Sequence, residues 1–149
     1  MINGDALQHR WKTYLEGALP TPFGRGDGDC CAFAAGWASC VSQQAIGLPR
    51  FASDDEAHDY LVSEGGMEEA VHRFLSPLGF RLCWGVGDSA YGIVCFSSDH
   101  PTFPEGVGVL INGRIATRAE GRSGITWVRV SQVKKGAIWN HPNIIEAWV

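Results

Sequence analysis

At Ser76-Pro77-Leu78-Gly79 the hydrophobic pattern of this chain changes period, and that change limits its architecture more than any other feature. Before it, apolar residues recur every three or four positions, as on one face of a helix. After it they come in short β-branched or aromatic runs separated by Gly, Asp and Pro, as in strands. Ala6 to Gly17 predicts an amphipathic helix with Leu7, Trp11, Tyr14 and Leu15 on one face and Asp5 as its cap. Residues 18–28 hold too many prolines and glycines for a helix and read as a loop. A second helix is predicted from Cys30 to Gln44, where Phe33, Trp37 and Val41 recur at four-residue spacing. Its small residues Ala32, Ala35 and Gly36 would permit close packing on a sheet. Ser53-Asp54-Asp55-Glu56 is a capping box opening a third helix that ends at Gly65-Gly66, and Met67 to Leu75 gives a fourth.

Strands are predicted at Phe80 to Trp84, Tyr91 to Phe96, Val107 to Ile111, Arg114 to Thr117 and Ile125 to Val130. Asn112-Gly113 between two of them signals a type I′ hairpin. Helices first and an antiparallel meander afterwards make an α+β fold, and no linker or repeat divides residues 1–149 into more than one domain. The end of the chain leaves two readings open. Lys134 to Pro142 and Ile144 to Val149 carry Trp139, Trp148 and β-branched residues where a terminus is ordinarily polar. They form a last strand of the sheet, or they dock on a partner with tryptophan as the anchor.

A chain of 149 residues with 45% hydrophobic and 19% charged residues can bury its own core. Its net charge of −4, with Lys and Arg scattered singly, argues against nucleic acid as a partner. The start, Met1 to Lys12, lacks the apolar centre of a signal peptide, and no run is long enough to span a bilayer. The expectation is a soluble chain made in the cytoplasm. Its five cysteines (30, 31, 40, 83 and 95) are expected as reduced thiols. Their spacing lacks the Cys-x-x-Cys of a zinc site, Asp27-Gly28-Asp29 lacks the rest of a calcium loop, and no helix follows the Gly85-Val86-Gly87-Asp88 turn to make a phosphate cradle. No metal or cofactor is therefore expected.

The candidate site is the stretch from Pro22 to Trp37. A Gly/Asp-rich loop runs into Asp29, and the second helix begins right after it, so Cys30 falls at a helix N-terminus with Asp29 as its cap. Unpaired N–H groups and the helix dipole there favour a thiolate, which is what a cysteine nucleophile needs. Cys31 lies about 100° further round the helix and is the better core residue. The opposing reading makes both cysteines small buried apolar residues.

Pro22-Phe23-Gly24 followed by Asp29-Cys30-Cys31-Ala32-Phe33 resembles the Asp-Cys motif of NlpC/P60 peptidases, papain-like enzymes that cut peptidoglycan stem peptides. It is closer still to a phage-encoded branch of that superfamily found in tail gene clusters. The resemblance extends from about Trp11 to Val130 and matches the Gly106-Val107-Gly108-Val109 segment to the His-Val-Gly-Ile that opens a strand in active members. Gly106 then stands where the catalytic base would be, and Arg118 or a neighbour where a group orients that base. Neither can accept a proton or a hydrogen bond. His100, in the loop before that strand and next to Asp99, is the best substitute base, against the reading that Pro101 holds it in a solvated loop. His9, His58, His72 and His141 read as exposed helix or turn residues.

Two functions follow from the resemblance. The first is a structural or assembly component of a phage tail tip, with a degenerate papain-like fold and other tail-tip proteins, such as the hub or tape measure, as partners. It would be made in the host cytoplasm and reside in the virion tail. The second is an active cysteine peptidase or amidase on peptidoglycan, with Cys30 as nucleophile, His100 as base and the Cys30 N–H in the oxyanion hole.

Overall fold

The structure, a computed structural model, describes residues 4–18, 30–45, 54–84, 91–98, 105–118 and 125–144. Helix α1 (Gly4–Ala18) turns Trp11, Tyr14 and Leu15 toward the core. Helix α2 (Cys30–Ser42) buries Phe33, Ala34, Trp37, Ala38 and Val41, a spacing that keeps one side of a 3.6-residue helix apolar. It stops short of Gln44 because Gln43 takes a left-handed φ of 60°. Arg10 Nη1 and Asn143 Nδ2 then donate to the Cys40 and Val41 carbonyls at 3.2 and 2.7 Å, which supplies partners the last turn lacks. Helices α3 (Asp54–Ser63) and α4 (Met67–Leu75) meet at Gly65-Gly66, as the sequence implies, while Ser53 of the capping box lies outside the described residues. A 3₁₀ turn (Ser76–Leu78) and Gly79 end the helical half.

Six strands follow among the described residues: β1 (Arg81–Trp84), β2 (Tyr91–Ser98), β3 (Glu105–Ile111), β4 (Arg114–Thr117), β5 (Thr126–Arg129) and β6 (Val133–Asn140). They form one antiparallel sheet in the order β1-β6-β2-β3-β4-β5. The fold is therefore α+β, helices first. Asn112 and Gly113 both have positive φ, 52° and 78°, as the type I′ hairpin between β3 and β4 requires. Of the segment with two readings, the part up to Asn140 is a strand, and residues 145–149 lie outside the described residues. Rather than closing an edge, β6 inserts between β1 and β2, and Trp139 is 0% exposed. Trp148 lies outside the described residues.

The sheet separates two cores. Ile93, Val107, Val109, Ala116, Ala137 and Trp139 face α2, α4 and the 3₁₀ turn. On the other side Val94, Phe96, Leu110, Ile115, Val128 and Ile138 form a second buried cluster. Curvature encloses it. Strands β5 and β6 stand four positions apart, about 19 Å in a flat sheet. Only the turn Val130–Gln132 joins them, and the four Cα steps from Arg129 to Val133 reach at most about 15 Å. The sheet must curl to bring these strands together, and a register shift at Ser97/Ser98 against β6 assists the bend.

His141, expected in an exposed turn, is buried. Its Nδ1 accepts from the Asn143 N–H at 3.1 Å, so its Nε2 carries the proton and donates to Leu78 O at 3.0 Å. The neutral ring satisfies both partners, and burial pushes its pKa below the ordinary histidine value, against the Leu78 hydrogen bond that raises it. A histidine with a lowered folded-state pKa contributes stability above its unfolded pKa of about 6.5 and loses it as pH falls. Urea midpoints measured from pH 7.5 to pH 5 are therefore expected to fall more steeply in the native chain than in His141→Ala, which is less stable at neutral pH but lacks this titration.

Candidate functional site

The two ends of α2 are fixed by different partners. Its last turn is held by Asn143, just beyond the end of β6, and by Arg10 of α1. Helix α2 packs on β3, and its length of about 20 Å carries its first residue, Cys30, toward the other end of the sheet. At that end β2 finishes and β3 begins, with Ser97 paired to Glu105. Strand β4 also finishes there, and Thr117 Oγ1 donates to Val107 O at 2.7 Å. The next residue, Arg118, is 3% exposed and donates from Nη1 to Ala18 O at 2.7 Å, so the end of α1 is tied to the same place.

The topology thus gathers the backbone of Cys30, the start of β3, the end of β4 and both anchors of the 99–104 loop. The side chain of Cys30, and Asp29 and His100 altogether, lie outside the described residues. Cys31 is half-buried against the core, as expected of the second cysteine. Arg118 does not stand open to orient a base. Its Nη1 is bound to the C-terminal carbonyl of α1, where a cation also complements the helix dipole.

Gly106 is placed differently from the resemblance. Strand residues alternate between faces, and Val107 and Val109 belong to the core beneath α2, with Ile111 packed against it. Position 106 has the other parity. A Cβ there would stand 3.2 Å from Phe96 Cζ, in the second core. A histidine at 106 would point away from α2, because a one-residue offset in a strand reverses the face. The described side chains of β3 that face α2 are apolar throughout.

Two histidines, His72 and His141, are committed elsewhere. His72 is half-buried rather than on a solvated helix face, and its Nδ1 accepts from Trp139 Nε1 at 3.1 Å. His141 is held at Leu78, and His9 is exposed on α1. Nothing in the sequence marks either of the first two, since each partner lies more than sixty residues away.

Helix α2 is braced by a group that its own pattern does not reveal. The Tyr14 hydroxyl donates to Phe33 O and lies beside the Trp37 N–H, the two groups of one helical turn. Burial first, and then the neighbouring Cys40 thiol, push its pKa well above the ordinary tyrosine value. Trp11, Phe33 and Trp37 surround the ring, with Trp11 and Trp37 edge to face at 5.0 Å. The ends of α1 and α2 that frame the site are thereby fixed to one another.

A family model described as a domain of unknown function, DUF6950, matches residues 5–139. The chain belongs to the DUF6950 family. That match spans nearly all of α1 and of β6, so it takes in all four described helices and the sheet up to Trp139, while Asn143, which holds the end of α2, lies just beyond it. No curated protein and no solved structure matches the chain. Among the described residues, no helix of the DUF6950 domain is long and apolar enough to cross a membrane.

Proposed function

We propose that this DUF6950 domain is a papain-like scaffold of NlpC/P60 type that serves as a structural or assembly component of a phage tail tip, without hydrolytic activity of its own. The observation that carries the non-catalytic part is the face of β3 toward α2. Its described side chains are Val107, Val109 and Ile111, none of which accepts a proton, and the buried Arg118, bound through Nη1 to the end of α1, has no acceptor with which to orient a base. The Asp29-Cys30 motif at the start of α2, with the following strand opening at the same end of the sheet, supports the papain-like part. The tail-tip setting rests on the sequence resemblance, with hub and tape-measure proteins as the partners it implies.

A second reading has one observation in its favour. The loop that contains His100 leaves β2 at Ser98 and enters β3 at Glu105, at the end of the sheet toward which the first turn of α2 lies. An active peptidoglycan peptidase or amidase would draw its base from that loop.

Alkylation of Cys30 separates the two. Cys83 is exposed and would compete, so the measurement uses Cys83→Ala and reads the Cys30 peptide by mass spectrometry. Cys40 interferes little at moderate pH, because burial pushes its thiol pKa up against the opposing charge of Arg10. For the scaffold the rate is expected to keep rising above about pH 7, because the helix start favours the thiolate but no base completes its ionisation. Muropeptides should stay intact, and Cys30→Ala virions should assemble and infect normally. A rate already at its plateau below about pH 7, with muropeptide cleavage lost in both Cys30→Ala and His100→Ala, establishes the enzyme instead. Copurification with tail-tip complexes tests the setting independently of the chemistry.

A further inference from the structure

Between Trp139 and Asn143 the end of β6 is tied to three separate elements. Trp139 Nε1 donates to His72 Nδ1 of α4 at 3.1 Å. His141 Nε2 donates to Leu78 O of the 3₁₀ turn at 3.0 Å, and Asn143 Nδ2 donates to Val41 O of α2 at 2.7 Å. Both histidine rings are used the same way round. His72 Nδ1 accepts from the indole N–H, and His141 Nδ1 accepts from the Asn143 N–H at 3.1 Å. An indole N–H and a backbone N–H can only donate, and a doubly protonated imidazole has no nitrogen left to accept. Each ring therefore holds its partner only while it is neutral.

The segment these ties hold down, residues 67–78, lies between glycines in left-handed backbone. Gly65 and Gly66 precede α4 with φ of 92° and 112°, and Gly79 follows the 3₁₀ turn with φ of 93°. Glycine turns at both ends let a segment swing as a unit. His141 packs on one of these turns, since a Cβ at Gly79 would stand 3.1 Å from its Nε2.

The surrounding charges differ at the two rings. Around His72 the charged and titratable groups among the described residues are Glu68, Glu69 and Arg73 of its own helix, Tyr60 and Glu64 of α3, and Tyr91 and Cys95 of β2. Glu64 is paired with Arg73 at 3.1 Å. Glu68 lies half-buried one turn before His72 on the same face, so a charge formed at 72 has a carboxylate to turn to. On the His141 side stand Arg81 of β1, opposite Asn140, and Arg10 of α1 with Cys40 at the end of α2. Those cations give an imidazolium nothing to pair with, and burial already opposes its charge, so a proton at 141 drives the ring toward water.

We propose that residues 67–78 form an acid-released latch: protonation of His72 and His141 frees α4 and the 3₁₀ turn from the end of β6 while the sheet stays folded. Opening takes up protons, so the open population grows as pH falls through the histidine range near about 6.5. Release uncovers Trp139 and loosens Asn143, the brace on the last turn of α2. The event is local, which separates it from a fall in overall stability, and it holds whether or not Cys30 performs chemistry.

Hydrogen exchange of the full chain, read by mass spectrometry at about pH 7.5 and about pH 5 and corrected for free-amide rates, tests it. Protection of 67–78 is expected to fall at least about tenfold between the two. At the lower pH these amides should exchange faster than those of β3, at a rate that dilute urea leaves unchanged, the mark of an opening that exposes little surface. His72→Asn combined with His141→Asn puts an acceptor oxygen that does not titrate in place of each Nδ1, so the pH dependence should vanish, with circular dichroism verifying the fold. A second readout needs no histidine variant. The Trp139 indole N–H resonance, assigned by its loss in Trp139→Phe, should move as the His72 ring titrates and with the same midpoint. Protection that ignores pH, or exchange of 67–78 that follows urea as steeply as β3 does, overturns the latch. So does an indole resonance unmoved by the His72 titration, or a pH dependence that survives in the folded double variant.

Discussion

Replacing Trp139 by Ala is expected to cost about 3–5 kcal/mol, the range for removing a large aromatic side chain from a packed core. Trp139 is 0% exposed in the central strand β6, where it pairs with Leu82 of β1 and Ile93 of β2. Truncation would empty the space between the sheet and α4 and take the donor from His72. A small domain has about 5–15 kcal/mol in total, so the melting temperature should fall by roughly 10 °C or more. The urea midpoint should fall with an unchanged m-value, the sign of lost native stability without altered exposure on unfolding. Trp139→Phe retains most of the volume and isolates the hydrogen bond, whose loss should cost about 1 kcal/mol with His72 half-buried. A double-mutant cycle of Trp139→Phe with His72→Ala gives the coupling directly. A native midpoint in Trp139→Ala would contradict the placement of β6 in the middle of the sheet.

Gly36→Ala is expected to destabilise the chain by about 1–3 kcal/mol, although alanine is the better helix former. A Cβ at Gly36 would collide with the Tyr14 hydroxyl and stand 3.0 Å from two ring carbons of the same side chain. Tyr14 cannot swing aside cheaply, because Trp11, Phe33 and Trp37 pack around its ring. The collision would separate α1 from α2 and release the Tyr14 hydrogen bond to Phe33 O. Removing the hydroxyl makes room, so Gly36→Ala in a Tyr14→Phe background should cost much less than in the native chain. Equal losses in the two backgrounds would show that the glycine serves something other than this contact. The same tyrosine predicts alkaline behaviour. Its folded-state pKa is raised, so its contribution is complete below about pH 10 and declines as the unfolded chain ionises above that value. Tyr14→Phe should flatten the loss of stability between about pH 9.5 and 11.

Local patterns in the sequence specified the elements themselves. The apolar spacing of Phe33, Trp37 and Val41, the Gly65-Gly66 break, the stop at Ser76-Pro77-Leu78-Gly79 and the Asn112-Gly113 turn are all realised where the sequence puts them. Each depends on residues within a few positions of one another, and so does the assignment of Cys30 to a helix start. What escaped a linear reading depends on partners far along the chain. Gly36 reads as small for the sake of the sheet, but its neighbour is Tyr14 of another helix. His72 and His141 read as exposed, and their partners are Trp139 and Leu78.

Strand parity set the limit at the candidate site. The sequence can align Gly106 with a family position, but the face on which that position lies follows from the register of β3 against β2 and β4, and here it faces Phe96. The place of β6 likewise was not legible, because an apolar segment near a terminus suits an edge, a centre or a partner equally well. Sequence periodicity alone determined which residues turn inward within each element and where the thiol-bearing helix begins. The tertiary structure alone decided which strand lies at the centre, which side of β3 the helix sees and which polar groups meet, since those depend on contacts closed across the whole chain.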